Sequence, residues 1–322
     1  MKVVRIHETG GPEVLKVEEA PIPEPGPGEV LIRHHAIGLN FIDTYHRTGL
    51  YPVPLPAVPG LEGAGTVEAV GEGVTHLKVG DRVAYGAGPL GAYAEYRTMP
   101  AGRVAKLPEG IDFETAAAMM LKGLTAWYLL RRTYPVKKGD VILFLPAAGG
   151  VGLIAGQWAR ALGAVTIGAC SGEKAGIAKA HGYDHVIDYR TEDMAARVRE
   201  ITDGRGADVV YDGVGAATFE SSLDSLKVRG LLASFGNASG PVTGVNLGIL
   251  AEKGSLYVTR PVLMHYVQSD EELAEASREL FEMVESGKVR ITVNQRYPLE
   301  EAARAHADLE ARRTTGQTVL IP

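Results

Sequence analysis

Short apolar runs that alternate with turn residues fill the first hundred positions of the 322-residue chain. Residues 30–37 form a strand-like segment after a segment rich in Pro and Gly, and residues 63–70 and 81–85 form two further strand-like segments. Glycines separate these runs at positions where the chain must turn. The pattern predicts a β-rich first part, built as a small barrel or sandwich.

The pattern changes near residue 112. Residues 113–120 are rich in Ala and Met and contain no helix breaker, and residues 124–132 form a second apolar segment without Pro. These two segments predict two helices.

From residue 140 to about 257, apolar strands alternate with helical segments. The predicted strands are 141–145, 165–169, 185–187, 208–211, 230–235 and 255–259, and the predicted helices are 151–162, 174–181 and 194–201. Alternation of this kind is typical of a parallel sheet with helices on both faces. We therefore predict an α/β protein with a doubly wound parallel sheet.

The last segment breaks this alternation. It predicts helices over 271–286 and 299–312, and strands over 289–293 and 318–321. Since these elements do not extend the βαβ series, we expect the segment to return to the first domain.

The composition narrows the class of protein. Hydrophobic residues make up 45% and charged residues 22% of the chain, as in ordinary globular proteins. The net charge of −6 argues against a surface for nucleic acid or anionic membrane. Cys170 is the only cysteine, which excludes an internal disulfide, and the first residues lack the apolar region of a signal peptide. We expect a cytoplasmic protein.

A glycine-rich loop joins the predicted strand 141–145 to the predicted helix 151–162. Residues 147–152 read AAGGVG, with Ala147 in place of the first glycine of the dinucleotide-binding fingerprint. Gly149 would let the backbone approach a pyrophosphate, and Gly152 would let the helix pack close to the strand. The helix N-terminus would add N–H donors and a partial positive charge. The position of the loop between strand and helix predicts a dinucleotide cofactor.

The residues after the second predicted strand indicate which dinucleotide binds. NAD sites usually place an acid at the end of this strand to hold the ribose 2′-hydroxyl. Here Ser171 occupies that place, Glu173 follows, and Lys174 comes next. A serine hydroxyl and a lysine cation suit the 2′-phosphate of NADPH better than the ribose 2′-hydroxyl of NADH. The sequence therefore favours NADPH.

Four segments taken together resemble a known family. Residues 40–45, 121–126, 147–152 and 234–240 are similar to segments of the zeta-crystallin-like quinone oxidoreductases, the zinc-free branch of the medium-chain dehydrogenase/reductase superfamily. The similarity continues through residues 304–306 and covers essentially the whole chain. It implies a GroES-like catalytic domain from residues 1–124 and 264–322, a central Rossmann domain over 125–263 with NADPH between the two, and a homodimer.

The resemblance also implies roles for individual residues. Asn40, Tyr45 and Tyr51 would lie beside the reacting part of the cofactor and its substrate. The implied cofactor contacts are Asn40, Tyr45, Thr125, Gly149, Gly150, Val151, Gly152, Phe235 and Asn237, with Ser171, Lys174, Tyr189 and Arg312 on the 2′-phosphate side.

The metal ligands of the related zinc alcohol dehydrogenases are missing. Their catalytic zinc needs a thiolate and an imidazole, and the matching positions hold Asn40 and Leu61. Cys170 alone cannot replace the cysteines of a structural zinc. We expect no metal site, and we interpret Asp43 and Glu62 as residues with structural hydrogen bonds.

A substrate that is already electrophilic can accept electrons at a site without a Lewis acid. The sequence therefore predicts NADPH-dependent reduction of quinones, with one-electron and two-electron reduction both open. Tyr45 or Tyr51 could donate to the substrate oxygen as negative charge develops, although Tyr51 equally fits a wall of the pocket. One alternative is reduction of the double bond of an enone, enal or enoyl-CoA. Another alternative is a recruited structural or RNA-binding role, which the negative net charge does not support.

Overall fold

The computed structural model describes residues 1–322, and the chain divides into two compact units. The first unit comprises Met1–Leu124, Val267–Glu285 and Ile291–Pro322, and the second comprises Thr125–Tyr266 and Ser286–Arg290. Residues 264–266 and 286–290, which we predicted to lie with the last segment, group with the second unit. None of the helices combines the length and the apolarity that crossing a bilayer requires.

The elements are numbered in chain order. The strands are β1 (Lys2–Arg5), β2 (Lys16–Glu19), β3 (Glu29–Gly38), β4 (Glu62–Val70), β5 (Arg82–Tyr85), β6 (Tyr96–Pro100), β7 (Ala105–Lys106), β8 (Val141–Leu145), β9 (Val165–Cys170), β10 (His185–Asp188), β11 (Ala207–Asp212), β12 (Leu226–Ser234), β13 (Tyr257–Thr259), β14 (Val293–Pro298) and β15 (Gln317–Ile321). The helices are α1 (Phe41–Thr48), α2 (Phe113–Tyr128), α3 (Gly150–Ala161), α4 (Ala175–Ala180), α5 (Met194–Ile201), α6 (Phe219–Asp224), α7 (Gly248–Glu252), α8 (Asp270–Glu285) and α9 (Ala302–Glu310).

The first unit is built on a seven-stranded sheet in the order β14-β15-β3-β4-β5-β7, with β6 also paired to β3. All neighbours are antiparallel except β14 and β15. Leu320 of β15 pairs with Ile37 of β3, and both side chains lie in one apolar core with Val30, Ile32 and Val67. The last strand of the chain therefore completes the sheet that the first residues begin.

The second unit contains a six-stranded sheet in which every pairing is parallel, in the order β10-β9-β8-β11-β12-β13. The first strand of this sheet along the chain is β8. The next two strands, β9 and β10, lie on one side of β8, and β11 follows on its other side. All carboxyl ends meet at one edge of such a sheet, and the reversal between β8 and β11 is the usual place for a ligand. The predicted doubly wound sheet is confirmed.

The helix prediction over 113–132 was wrong in one respect, because the two segments form one continuous helix. α2 runs through Gly123 to Tyr128 and continues as a π-helical turn, Leu129–Thr133. A Cβ on Gly123 would lie 2.5 Å from Cδ1 of Leu280 on α8. Glycine therefore serves close packing of two helices here and does not end a helix.

The predicted strand over 289–293 was also wrong, because β14 begins at Val293. Val293 pairs with Gln317 and Pro298 with Ile321, so the strand starts where β15 lies alongside. Before it, Arg290 exchanges two hydrogen bonds with the side-chain amide of Gln157, at 2.9 and 3.0 Å. That amide takes the place of a neighbouring strand. The predicted helix over 299–312 is a 3₁₀ turn, Leu299–Glu301, followed by α9.

Candidate functional site

The glycine-rich loop of the second unit leads from β8 directly into α3. Gly149 is the N-cap of the helix, and Gly152 lies in its first turn. A Cβ on Gly152 would lie 2.3 Å from the carbonyl oxygen of Pro146 and 2.5 Å from that of Ala147. No side chain fits there, so glycine lets the first turn of α3 pack close to the end of β8. The N–H groups of a first helical turn have no intrahelical acceptor and can receive a phosphate.

The other residues predicted to bind the cofactor in this unit follow the carboxyl ends of neighbouring strands. Ser171 follows β9, Tyr189 follows β10, and Phe235 and Asn237 follow β12. Because the sheet is parallel, these residues lie at the same edge as the loop. Lys174 ends the short 3₁₀ helix after β9, and Thr125 is buried within α2.

An acid does lie beside the end of β9, although it belongs to the neighbouring strand. Asp188 of β10 is in register with Cys170 of β9, and a Cβ on Gly172 would lie 2.4 Å from its Oδ2. Burial, with a smaller contribution from Asp188, raises the pKa of the Cys170 thiol to about 11. Cys170 therefore stays a thiol at neutral pH and is not an activated nucleophile.

Asp212 at the end of β11 organises the neighbouring turns, and the sequence analysis missed it. Its carboxylate accepts from the backbone N–H groups of Val214 and Gly215 at 2.7 and 3.0 Å, and from the hydroxyls of Thr218 and Ser222 at 2.7 and 2.8 Å. Four donors satisfy this buried carboxylate fully. An Asp that ends a Val-containing strand directly before Gly-Val-Gly was the available signal.

In the first unit, the structure brings Asn40, Tyr45 and Tyr51 together around α1. Asn40 precedes the helix, and its backbone N–H donates to Oδ2 of Asp43 at 2.9 Å. The rings of Tyr45 and Tyr51 meet edge to face with 5.2 Å between centroids, and the N–H of Tyr51 donates to the carbonyl of Tyr45 at 3.1 Å. Phe41 extends this aromatic group, with its ring centroid 5.9 Å from that of Tyr45.

The side chain of Asn40 contacts a buried ion pair. Its Nδ2 donates to Oε2 of Glu62 at 2.8 Å, and Nζ of Lys122 donates to the same oxygen at 2.7 Å. Glu62 has no solvent exposure, and Lys122 is buried as well. The backbone N–H of Leu121 donates to the other carboxylate oxygen at 2.8 Å.

A second buried polar chain starts at Asp43 and runs to the surface. The hydroxyl of Tyr93 donates to Oδ2 of Asp43 at 3.0 Å, and its oxygen lies 2.9 Å from Nε2 of His306. Nη1 of Arg47 lies 3.1 Å from Nδ1 of His306, and the guanidinium binds both carboxylate oxygens of Glu310 at 3.0 and 2.7 Å. Oδ1 of Asp43 is buried without a hydrogen-bond partner.

The hydrogen bonds of this chain share one direction. Arg47 has no acceptor, so it donates to Nδ1 of His306, and the ring must carry its own hydrogen on Nε2. That N–H donates to Tyr93, which in turn donates to Asp43. Burial lowers the pKa of His306 to about 3, with Arg47 adding to the effect. Burial raises the pKa of Asp43 to about 7, against the opposing hydrogen bonds from Asn40 and Tyr93.

Comparison with known proteins gives a consistent answer along the whole chain. Residues 26–109 match the family described as alcohol dehydrogenase GroES-like domain, and residues 181–320 match the one described as zinc-binding dehydrogenase. The chain is 59% identical to a quinone oxidoreductase of Pseudomonas aeruginosa over 100% of this chain and 99% of the relative. It is 47% identical to a 2-haloacrylate reductase of Burkholderia over 98% of each.

Among solved structures, a quinone oxidoreductase of Escherichia coli in complex with NADPH superposes with a TM-score of 0.98, at 53% identity and 100% coverage of both chains. The chain belongs to the quinone oxidoreductase family of the medium-chain dehydrogenase/reductase superfamily. It is an oxidoreductase, and the resemblance stated from the sequence is confirmed, as are the GroES-like domain and the Rossmann-type sheet.

The residues at the positions discussed for zinc do not match the zinc binding named in one of the matching families. Leu61 is buried and precedes β4, and Asn40 donates to Glu62. No group of three or more His, Cys, Asp or Glu side chains is arranged to hold a metal ion.

Arg312 is the one predicted phosphate contact that belongs to the first unit. It follows α9 with a left-handed backbone, φ 59°, and its N–H donates to the carbonyl of Leu309 at 3.0 Å. Ser171, Lys174 and Tyr189 belong to the second unit. The role of Arg312 stays a prediction.

The opposite pKa shifts of His306 and Asp43 predict opposing effects of pH on stability. His306 has a folded pKa below its usual 6.5, so its contribution to stability is lost as the pH falls from 6.5 towards 3. Asp43 has a folded pKa above its usual 3.8, so stability is lost as the pH rises from 3.8 towards 7. Between pH 3.8 and 6.5 the two contributions offset each other.

We predict that His306→Gln uncovers the contribution of Asp43. Glutamine can still accept from Arg47 and donate to Tyr93, but it does not titrate. On going from pH 7 to pH 5, the free energy of unfolding of the variant should gain about 2 kcal/mol relative to wild type, at about 1.4 kcal/mol per pH unit below 6.5. Urea titrations at both pH values measure this. The exposed His185→Gln is the control, and an equal pH dependence of His306→Gln and wild type would contradict the prediction.

Proposed function

We propose that this protein reduces quinones with NADPH and does so without a metal ion. The observation that carries the proposal is the glycine-rich loop that leads into the N-terminus of α3 at the carboxyl edge of a parallel sheet. It occurs in a chain that superposes on a quinone oxidoreductase of Escherichia coli whose structure holds NADPH. The residues fit the group, because glycine at position 152 lets α3 begin directly against the end of β8, and a helix N-terminus favours a phosphate.

The roles of the binding residues follow from their chemistry. Gly149, Gly150, Val151 and Gly152 would present backbone donors to the pyrophosphate. Ser171, Lys174, Tyr189 and Arg312 would serve the 2′-phosphate, and Thr125, Phe235 and Asn237 would complete the cofactor contacts. In this proposal residues 125–263 bind NADPH, and residues 1–124 and 264–322 form the catalytic domain.

NADPH supplies the reducing equivalents when bound. The aromatic pair Tyr45 and Tyr51 would border the substrate, exclude water and hold its ring in place. The hydroxyl of either tyrosine would donate to the substrate oxygen on which negative charge develops.

A second function is favoured by one specific observation. The relative at 47% identity is a 2-haloacrylate reductase, which by its name acts on a substrate with a carbon–carbon double bond. Reduction of an α,β-unsaturated carbonyl compound is therefore the alternative. Both functions need an electrophilic acceptor beside the same cofactor, so activity assays must separate them.

The test is NADPH oxidation, set against NADH, with 1,4-benzoquinone, a naphthoquinone and an enone after treatment with a chelator. We expect turnover that depends on the quinone, prefers NADPH and survives the chelator. Turnover with the enone alone would transfer the function to the alternative. Loss of quinone turnover on chelation would overturn the metal-free proposal.

The cofactor preference is predicted to depend on Lys174. Replacement of Lys174 by glutamine removes a charge-assisted hydrogen bond to the 2′-phosphate, which contributes about 1.5–3 kcal/mol. The KM for NADPH should rise at least about tenfold, while the KM for NADH stays unchanged. Lys179→Gln, an exposed lysine on α4, is the matched control. An equal rise for both cofactors would show that Lys174 does not recognise the phosphate.

We also propose a homodimer in the cytoplasm, where a reducing environment suits the single free cysteine. β13 is an edge strand of the parallel sheet, and its residues Tyr257 and Val258 are 61% and 39% exposed. An edge with unpaired backbone groups and apolar side chains favours pairing with a second copy across a twofold axis. Sedimentation of the full chain at micromolar concentration tests this, and a monomer would contradict it.

A further inference from the structure

The end of β9 lies beside a carboxylate that the neighbouring strand supplies. Asp188, the last residue of β10, is in register with Cys170, the last residue of β9, and both belong to the second unit. Adjacent strands of a sheet lie about 4.8 Å apart, so this carboxylate starts one strand spacing from the end of β9. It reaches the turn that follows, because a Cβ on Gly172 would lie 2.4 Å from Oδ2 of Asp188. An acid therefore borders this turn, although Ser171 and Gly172 themselves carry none.

The turn after β10 does not explain why residue 188 carries a charge. Oδ1 of Asp188 accepts from the N–H of Arg190 at 3.1 Å, and the backbone carbonyl of Asp188 accepts from Thr191 and Glu192 at 3.1 and 2.9 Å. An asparagine would make the same side-chain bond, because Asn and Asp both accept from the backbone N–H two residues on. The turn thus requires one side-chain oxygen and no negative charge, and Oδ2 lies against Gly172 instead.

Two opposite charges act on the thiol of Cys170 at the end of β9. Burial is the main cause of its raised pKa, Asp188 adds to the rise, and Lys174 lowers the pKa. A carboxylate and an ammonium group therefore both lie close to this point. In dinucleotide-binding sheets the end of the second strand faces the 2′ position of the adenosine ribose, where an acid accepts from the hydroxyl of NAD and a cation binds the phosphate of NADP. The second unit carries one group of each kind there.

We propose that Asp188 determines cofactor selectivity, because it accepts from the ribose 2′-hydroxyl of NADH and repels the 2′-phosphate of NADPH. The inference rests on the proposed function, in which NADPH binds at this edge of the sheet. Lys174 favours the phosphate and Asp188 favours the hydroxyl, so NADH is a second cofactor of this protein. The charge of Asp188, rather than its size, limits the preference for NADPH.

The test is the Kd of the full chain for NADPH and for NADH, measured by fluorescence titration without quinone. Asp188→Asn removes the charge and keeps an acceptor for the N–H of Arg190. We expect the Kd for NADPH to fall about fivefold, the effect of one charge that acts on another through solvent. The Kd for NADH should rise about twofold, because a neutral amide is a weaker acceptor than a carboxylate. The ratio of the two Kd values should therefore change about tenfold in favour of NADPH.

The opposite directions of the two shifts separate selectivity from a merely structural role. Damage to the turn would weaken the binding of both cofactors alike and leave the ratio of their Kd values unchanged. Asp203→Asn is the control, because it removes the same charge from an exposed position between α5 and β11, at the opposite edge of the sheet. It should leave the ratio unchanged. If Asp188→Asn does not fold, Asp188→Ser also removes the charge, offers a hydroxyl to Arg190 and should change the ratio in the same direction.

Ionic strength and a fragment of the cofactor locate the effect. The gain in NADPH affinity should shrink below about twofold at about 1 M salt, where charges are screened over about 3 Å. Adenosine 2′,5′-bisphosphate, which has the 2′-phosphate and no nicotinamide, should gain affinity in Asp188→Asn as NADPH does. An undiminished gain at high salt, a fragment that gains nothing or an unchanged ratio of Kd values would overturn the role of Asp188 alone. A wild type that binds neither cofactor would overturn the proposed function itself.

Discussion

The hydrogen bonds of the first unit converge on Asp43, and the geometry around α1 depends on them. Asp43 receives the N–H of Asn40 on one side and the hydroxyl of Tyr93 on the other. An ionisable group with no solvent exposure costs several kcal/mol unless its partners are in place together. The start of α1 is therefore held at one position, and with it Asn40 and the ring of Tyr45.

Each unit holds its candidate binding groups by a different physical means. In the second unit the means is steric, since the absence of a side chain at Gly152 lets α3 pack against the carbonyl oxygens of Pro146 and Ala147. In the first unit the means is directed hydrogen bonding, since Nδ2 of Asn40 donates to the buried carboxylate of Glu62. A phosphate accepts hydrogen bonds from several similar donors, and backbone N–H groups supply them without a particular side chain. The reacting half of a cofactor needs one atom at one place, which only an oriented side chain supplies.

The sequence predicted what depends on local pattern and failed where distant contacts decide. The strands around β8 and the glycine loop were predicted because period and turn chemistry are local signals. The break predicted between residues 120 and 124 was wrong, because Gly123 lies within α2 and packs against Leu280, far along the chain. Asp43 and Glu62 were interpreted as hydrogen-bonding residues, in agreement with the structure. Their partners could not be named, because a single sequence does not show that Tyr93 meets a histidine 213 residues away.

The place of β15 and α9 in the first unit has a consequence for synthesis. His306, Glu310 and β15 leave the ribosome after residues 125–266 of the second unit are complete. Domains generally form as units while the chain emerges, so the middle of this chain can fold while the first segment waits. During that interval β3 lacks one neighbouring strand, and Arg47 and Tyr93 lack the imidazole that joins them. The nascent first segment is thus the stretch that a holding chaperone would have to protect.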